Sequence, residues 1–130
     1  MRHLLVPMER VRLSQQGRDQ LVTLKRRTGL RQWNVLCRWA LCKSLAEPSM
    51  PPHAEIPADS NVELSWHVLG GEEADVYGAL LRHRCVSDGL GVDPDTLATQ
   101  LRLHLHRGIG YLVADREISG VGDLVERALT

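Results

Sequence analysis

The pattern of apolar residues over positions 30–46 predicts a helix that is apolar on almost every side. This feature limits how the chain can fold. One apolar face of the helix consists of Trp33, Leu36, Cys37, Ala40 and Leu41. The opposite side carries Val35, Trp39 and Cys42, which leaves only a narrow polar strip. A helix with two apolar faces is buried on both. A chain of 130 residues has a modest core, so we expect another subunit to supply the second cover and predict an obligate oligomer.

Charge is divided unequally between the two halves of the chain. Residues 1–50 contain ten Lys or Arg and three Asp or Glu, whereas residues 51–130 contain six and thirteen. The halves therefore carry net charges of +7 and −7, although the formal net charge of the whole chain is zero. A basic segment without compensating acids attracts polyanions, most often nucleic acid. The alternative is that the two halves neutralise each other within the fold or across an oligomer.

The N-terminal half predicts a short strand followed by two helices. Polar and apolar residues alternate over residues 8–13, which is typical of a strand. Ser14 is a helix N-cap and Gly29 ends the first helix, before the helix over residues 30–46. The apolar face of the first helix is predicted to comprise Gly17, Leu21, Leu24 and Thr28. This order resembles the ribbon-helix-helix arrangement of DNA-binding repressors, in which two chains pair their strands.

The C-terminal half predicts further helices after a proline-rich loop. Four prolines exclude a helix over residues 47–61, and residues 62–69 are predicted to be a strand or extended segment. Three helices are expected after it, over residues 72–88, 93–107 and 121–129. Their inward-facing residues are predicted to include Tyr77, Leu80, Leu81, Cys85, Leu97, Leu101, Leu105, Val121, Leu124, Val125 and Ala128. The predicted fold class is mainly α: a compact single helical domain with a short N-terminal β-strand and a ribbon-helix-helix-like N-terminal half, assembling as an oligomer.

The sequence offers little for catalysis or metal binding. His104 and His106 are two residues apart and point away from each other on a helix, so they cannot share a metal ion. His104 lies on an apolar face and is expected in the core. Glu72, Glu73 and Asp75 are explained by their place at a helix start. The three cysteines form no C-x-x-C pair and predict reduced, mostly buried thiols. We expect no catalytic residue, no metal site and no cofactor.

Composition also limits the partners that we expect. No apolar run approaches the roughly 18 to 20 residues of a membrane span, and the N-terminal stretch lacks the apolar core of a signal peptide. We therefore expect a cytoplasmic protein with no membrane partner. Aromatic residues make up 4% of the chain and Phe is absent, so a base-stacking platform is not expected. Nucleic-acid binding would then depend on phosphate contacts.

Basic residues concentrate on the first helix and on the turn that follows it. Arg18 and Lys25 are seven residues apart and share one flank of that helix. Cations near the end of the helix also complement its dipole, which is a structural reason for part of the cluster. The candidate DNA-binding residues are Arg12, Arg18, Lys25, Arg26, Arg27, Arg31 and Arg38.

Several long strings of residues resemble the DndE family of bacterial DNA phosphorothioation systems. They occupy residues 11–16, 24–29, 33–40, 44–48, 57–63, 70–72 and 102–109. The resemblance runs from about Val11 to Leu124, which divides the chain into an N-terminal extension over residues 1–10 and a DndE-like domain over residues 11–130. That domain comprises a basic half (11–46), the proline-rich loop (47–61) and an acidic half (62–130).

The resemblance implies a non-catalytic subunit that binds double-stranded DNA, with a preference for nicked duplex, as a compact helical tetramer. It implies two protein partners, a sulfur-activating reductase-like protein and an ATPase. The family's DNA contacts are attributed to basic surface residues, and the matching positions here are Arg18, Lys25, Arg26, Arg27 and Arg31. Two alternatives remain open. One is an interaction adaptor that does not itself contact DNA, and the other is a magnesium-dependent nuclease, which would need clustered acids.

Overall fold

A computed structural model describes residues 5–129 as a helical domain with one small sheet. The strands are β1 (Arg10–Arg12) and β2 (Glu63–Ser65). The helices are α1 (Gln15–Thr28), α2 (Trp33–Ala46), α3 (Trp66–Gly70), α4 (Ala74–Ser87), α5 (Pro94–Ala114) and α6 (Val121–Leu129), with a 3-10 turn at Gly71–Glu73. No helix in this described range is long and apolar enough to cross a membrane. The first four residues of the predicted N-terminal extension and Thr130 lie outside the described residues.

The two strands pair with each other in antiparallel register, Val11 opposite Leu64. Val11 and Leu13 are buried, as the alternating pattern predicts, and the amide of Leu13 also donates to the carbonyl of Val62. The order of strand, helix, turn and helix agrees with the ribbon-helix-helix-like prediction. The strand pairing differs, because the partner of β1 comes from the same chain rather than from a second one. Residues 6 and 8, within the predicted extension, pack against the core.

Helix α1 begins and ends where the sequence predicts. The side chain of Ser14 accepts a hydrogen bond from the amide of Gly17, and Gly29 adopts the left-handed conformation with φ of 78°. That φ is unfavourable for residues other than glycine. The four residues of the predicted face are all buried: Gly17, Leu21, Leu24 and Thr28.

Helix α2 begins at Trp33, three residues after the predicted start, because residues 29–32 form the turn from α1. It packs most extensively against α5. On its first apolar face Trp33 is half-buried and the other four residues are in the core. On the second face Val35 and Trp39 are half-buried and Cys42 is exposed. Trp39 and Cys42 of this second face line a groove of about 440 Å³ with Leu124 and other residues of α6. Part of the cover that we expected from another subunit is therefore supplied by the chain itself.

Helix α5 extends seven residues beyond its predicted end at residue 107. Gly108 does not stop it, because this glycine serves a close helix crossing: a Cβ there would lie 1.7 Å from the carbonyl oxygen of Ala40. His104 is fully buried, as predicted. The longer α5 reaches past the C-terminal end of α1, where the guanidinium of Arg27 donates to the carbonyl of Val113 at 2.8 Å.

The proline-rich loop is held in place by three arginines of the acidic half, which we call the loop clamp: Arg84, Arg102 and Arg107. Arg84 donates to the carbonyls of residues 45, 48 and 49 at 2.9, 3.2 and 2.6 Å. Arg107 donates to the carbonyls of residues 44 and 49, both at 2.9 Å. Arg102 donates to the carbonyls of residues 12, 56 and 57. The loop is extended as predicted, and these side chains supply donors to its carbonyls at residues 48, 49, 56 and 57, which belong to no helix or strand.

Three other predictions for the C-terminal half are wrong. Residues 66–70 are helical rather than extended, because Ser65 caps α3 by accepting from the amide of Val68. Leu80 is exposed, because α4 packs through the face containing Gly78 and Leu81. On α6 only Leu124 is buried, and Val121 and Val125 are exposed. Of the cysteines, Cys37 and Cys85 are buried and Cys42 is exposed.

Candidate nucleic-acid interface

Four basic residues surround the turn between α1 and α2, and we call them the basic turn: Lys25, Arg26, Arg27 and Arg31. The turn follows from Gly29, which ends α1 and lets the chain reverse direction within four residues. Arg26 and Arg31 are exposed, and among the described residues neither guanidinium has a hydrogen-bond or ion-pair partner. Their charges and donors face solvent and are free to bind an anion.

Lys25 packs its ammonium group over the ring of Trp33, at 3.5 Å from the ring centroid. This cation–π contact fixes the lysine between the end of α1 and the start of α2. Partial burial, and secondly the charge of Arg18, lower the pKa of Lys25. The effect of Arg18 agrees with the prediction that both side chains share a flank of α1.

Arg18 and Arg12 both contact the end of the proline-rich loop. Arg18 donates from Nε to Oδ1 of Asn61 at 3.1 Å, and its Nη1 lies 3.4 Å from Asp19. Arg12 donates to the carbonyl of Ser60 at 2.9 Å and lies 3.4 Å from Glu63. Exposed ion pairs of this kind contribute little. The two arginines are therefore brought together by consecutive loop residues, with part of their donor capacity already used.

Arg27 and Arg38 each use a guanidinium donor inside the fold. Arg27 donates to the carbonyl of Val113, and Arg38 donates to the carbonyl of Leu69 at 3.0 Å. Arg38 therefore faces α3, away from the α1–α2 turn. Of the seven predicted residues, Arg26 and Arg31 are fully available, Lys25 and Arg18 are partly engaged, and the other three also support the fold.

The first turn of α2 lies beside Arg31 and has no side-chain cap. Gln32 makes no capping hydrogen bond and the first turn of the helix contains no acid. The first amides of a helix have no intrahelical acceptor, and together with the helix dipole they favour anions. By contrast, Ser14 and Asp93 cap α1 and α5 with side-chain oxygens.

Arg116 is one exposed cation near this region that the sequence did not single out. It follows the C-terminal end of α5, three residues after the carbonyl that accepts from Arg27. Because α5 was expected to end near residue 107, nothing in the sequence pattern related Arg116 to α1.

The described residues contain one Ser–His pair, which is buried. Ser44 Oγ and His104 Nδ1 are 2.8 Å apart, and Arg107 Nε donates to Ser44 Oγ at 2.8 Å. The hydroxyl of Ser44 is therefore hydrogen-bonded to both the guanidinium of Arg107 and the imidazole of His104. Burial, followed by the charge of Arg107, lowers the pKa of His104 to about 4. Both side chains are fully buried, so the pair joins α2 to α5 out of reach of a substrate.

The cysteines and acids give no sign of a reactive centre in the described part of the chain. Burial raises the pKa of Cys37 to about 12, and burial also raises the pKa of Cys42 and of Cys85. Raised thiol pKa values disfavour the nucleophilic thiolate. Within residues 5–129 no group of three or more His, Cys, Asp or Glu is placed to hold a metal ion.

The fold defines the class as small, mainly helical single-domain proteins, and comparison with known proteins identifies the family. The family model described as DNA sulphur modification protein DndE matches residues 10–120. The chain therefore belongs to the DndE family, which is involved in DNA sulphur modification. No curated protein sequence matches the chain at a significant level.

Two solved structures share this fold. A crystal structure of DndE from Escherichia coli B7A, involved in DNA phosphorothioation modification, matches with a TM-score of 0.68 and 24% sequence identity. The match covers 81% of this chain and 96% of that one. A crystal structure of a DndE mutant involved in DNA phosphorothioation matches with a TM-score of 0.62 and 23% identity over the same shares of the two chains. At this identity the similarity establishes the common architecture.

Proposed function

We propose that this protein is the non-catalytic DNA-binding subunit of a bacterial DNA phosphorothioate-modification system. In this role it holds duplex DNA through backbone phosphates, in the cytoplasm, while partner proteins carry out the sulfur chemistry. The observation that carries the proposal is the pair Arg26 and Arg31, whose guanidinium groups are exposed and unpaired among the described residues. Arginine binds phosphate oxygens in a bidentate manner, which suits this pair to a nucleic-acid backbone.

The surroundings of this pair favour phosphate contacts over base recognition. The uncapped start of α2 adds backbone amides to the same region. Lys25 adds a third cation, whereas its aromatic neighbour Trp33 is covered by the ammonium group. Contacts to phosphates fix the position of a protein on the duplex but carry no direct sequence information. We therefore expect binding that is strongly dependent on salt and weakly dependent on sequence.

We also propose that the active form is an oligomer, most simply a tetramer, that prefers nicked duplex. The support for association is the groove along the second face of α2, where Trp39 is half-buried and Cys42 is exposed. Several copies would present several basic turns to one duplex. A nick makes the backbone easier to bend onto such a surface, which gives a physical reason for the preference.

The decisive experiment measures DNA affinity against salt for the Arg26→Glu/Arg31→Glu double variant. Each phosphate contact contributes about −0.9 to the slope of log K against log salt. We expect the variant to bind at least about tenfold more weakly and to reduce the steepness of the slope by about 2. Arg10→Gln, which changes an exposed arginine outside the basic turn, is the matched control. Unchanged affinity and slope in the double variant would refute the proposal.

Positions 26 and 31 are chosen because changes there should not disturb folding. Arg27 supports α5 through Val113, so reversing its charge would confuse loss of DNA binding with loss of folding. For nick preference, intact and nicked duplexes of one sequence are compared at one salt concentration. Equal affinities would remove that part of the proposal and leave phosphate binding intact.

A second candidate function is an adaptor that assembles the modification proteins without contacting DNA. The observation in its favour is an exposed apolar face on α4, with Val76 and Leu80 in an acidic segment. If the native chain showed no affinity for duplex DNA and the double variant at residues 26 and 31 lost oligomeric mass, the adaptor would be the better description. Cleavage of supercoiled DNA by the pure protein with magnesium would contradict the non-catalytic role.

A further inference from the structure

Helix α4 carries an exposed apolar seam that no part of the described chain covers. The seam consists of Val76, Ala79, Leu80, His83 and Val86. Val76, Leu80 and Val86 are 51%, 46% and 63% exposed, and the other two are also exposed. Spacings of three and four residues keep side chains on one side of a helix, here along about three turns. We call this set the α4 seam.

The α4 seam is distinct from the face through which α4 joins the core. The core face consists of Ala74, Gly78, Leu81 and Cys85. A Cβ at position 78 would lie 1.8 Å from the carbonyl oxygen of Leu5, so the chain segment before β1 crosses α4 on that side. Isolated apolar residues on a surface need no explanation, but a continuous stripe at helix-packing spacing indicates an interaction site. Its natural complement is another helix.

The electrostatic surroundings of the α4 seam are acidic. Residues 62–95 contain seven Asp or Glu and two Arg. Both arginines are engaged: Arg84 belongs to the loop clamp and pairs with Asp88 at 3.0 Å, and Arg82 makes an interaction within the chain. Some of the acids are engaged as well, because Glu63 pairs with Arg12, Asp93 caps α5 and Asp75 makes an interaction within the chain. Glu72 and Glu73, at the N-terminal end of the seam, are exposed. A partner that matches both features must combine apolar residues with positive charge.

Neither the α4 seam nor the basic turn of a second copy provides that combination. The groove between α2 and α6 places Lys43 and Arg127 beside apolar residues. Asp115 and Glu117 pair with Arg127, and Asp115 also interacts with the charge of Lys43, so this groove has little net positive charge. Pairing two α4 seams would bring two acidic segments together, which is unfavourable. The basic turn has the required charge, but none of the large exposed apolar residues in the described part of the chain belongs to it. The geometry and charge point to a different protein as the occupant: we propose that the α4 seam docks a basic amphipathic helix of a partner protein. This inference does not depend on DNA binding by the basic turn.

The test uses the full chain and a designed helical peptide of about 18 residues, with leucines at spacings of three and four flanked by lysines. A control peptide keeps the leucines and replaces each lysine by glutamate. Titration calorimetry should show binding of the lysine peptide at least about tenfold tighter than binding of the glutamate peptide. Equal affinities for the two peptides would overturn the proposal, because charge complementarity would then play no part.

The double variant Val76→Gln/Leu80→Gln locates the binding site without adding charge. Glutamine favours helices and these positions are exposed, so folding should be retained, which circular dichroism checks. We expect at least about a tenfold loss of affinity for the lysine peptide. Val125→Gln, at a similarly exposed valine on α6, should have no effect. Undiminished peptide binding by the double variant would overturn the proposal.

Two further measurements distinguish this proposal from self-association through the α4 seam and from DNA binding by the basic turn. If the double variant lowered the mass of the oligomer in light scattering, the occupant of the α4 seam would be a second copy and the proposal would be wrong. An unchanged mass supports a foreign partner. DNA affinity of the same variant should be unchanged, whereas the Arg26→Glu/Arg31→Glu variant should bind the lysine peptide normally. Failure of one function is thereby distinguished from failure of the other.

Discussion

The basic turn and the loop clamp use arginine in opposite ways. In the loop clamp, Arg84 and Arg107 direct nearly all their donors to backbone carbonyls and to Ser44 and Asp88. In the basic turn, Arg26 and Arg31 direct theirs to solvent. Charge counts along the sequence treat all four alike. The comparison shows that the number of uncommitted donors, more than the number of charges, distinguishes a binding arginine from a structural one.

The position of each set in the chain explains the difference. A proline-rich loop cannot form helix or sheet bonds, so its carbonyls need donors from elsewhere. The long side chains of α4 and α5 reach them with planar guanidinium groups. The turn after α1 has no such need, because Gly29 donates its own amide to the carbonyl of Lys25. The cations around this turn are left for an external partner.

The largest expected effect is the loss of stability on removing the loop-clamp arginine at position 107. Arg107→Met keeps the apolar stem but removes the guanidinium donors to the hydroxyl and carbonyl of Ser44 and to the carbonyl of Ser49. We expect the free energy of unfolding to fall by about 3 kcal/mol. Arg26→Met, the matched change in the basic turn, should alter it by less than about 0.5 kcal/mol. Urea denaturation of both variants measures the contrast, and similar losses in the two would contradict it.

We expect acid to lower the free energy of unfolding through His104, which lies beside the loop clamp, and to leave the DNA affinity of the basic turn unchanged. His104 is neutral in the fold, because burial and the charge of Arg107 lower its pKa to about 4. The unfolded chain binds the proton at an ordinary pKa of about 6.5, so it gains protons first as the pH falls. The free energy of unfolding should therefore keep its maximum value above pH about 6.5. It should decrease by roughly 3 kcal/mol as the pH falls to about 4.

The measurement is urea denaturation across this pH range for the native chain and for His104→Gln. Glutamine cannot titrate, so the variant should lose most of this dependence and keep the part that arises from His106, whose pKa is also lowered by burial. An identical pH dependence in the two proteins would show that His104 does not control it. DNA affinity per folded molecule should change little over the same range, since arginines do not titrate there.

Arg27 belongs to the basic turn but also donates to the carbonyl of Val113. It therefore tests whether one arginine can both bind DNA and support the fold. Arg27→Gln should lower the free energy of unfolding by about 1 kcal/mol, because one hydrogen bond between α1 and α5 is lost. It should also weaken DNA binding and reduce the salt slope by about 1. Thermal unfolding and salt titration measure the two effects on one sample. A loss confined to stability would assign Arg27 to the structural set alone.

Features of the fold and of the candidate site could be predicted where they depend on residues close together in the sequence. Ser14 and Gly29 fixed the limits of α1, and the two-residue period located β1. The loop clamp could not be predicted, because Arg84 and the carbonyls that accept from it are 35 to 39 residues apart. Leu80 was expected in the core because it is large and apolar, but the small Gly78 lies on the core face, where the chain at Leu5 approaches closely. The seven candidate DNA contacts were selected by charge, which does not show which donors are already used.

The smallest expected effect comes from Arg31→Lys, which keeps the charge and removes the planar guanidinium. The basic turn already contains one lysine, but Lys25 is held over Trp33, whereas position 31 is exposed. If Arg31 binds phosphate in a bidentate manner, lysine should weaken DNA affinity about threefold while the salt slope stays within about 0.3 of the original value. Stability should change little, since the side chain is exposed and makes no hydrogen bond or ion pair in the described part of the chain. An affinity equal to that of the native chain would mean that Arg31 acts only as a point charge. The exposed guanidinium groups of the basic turn would then bind DNA through their charge and not through bidentate geometry.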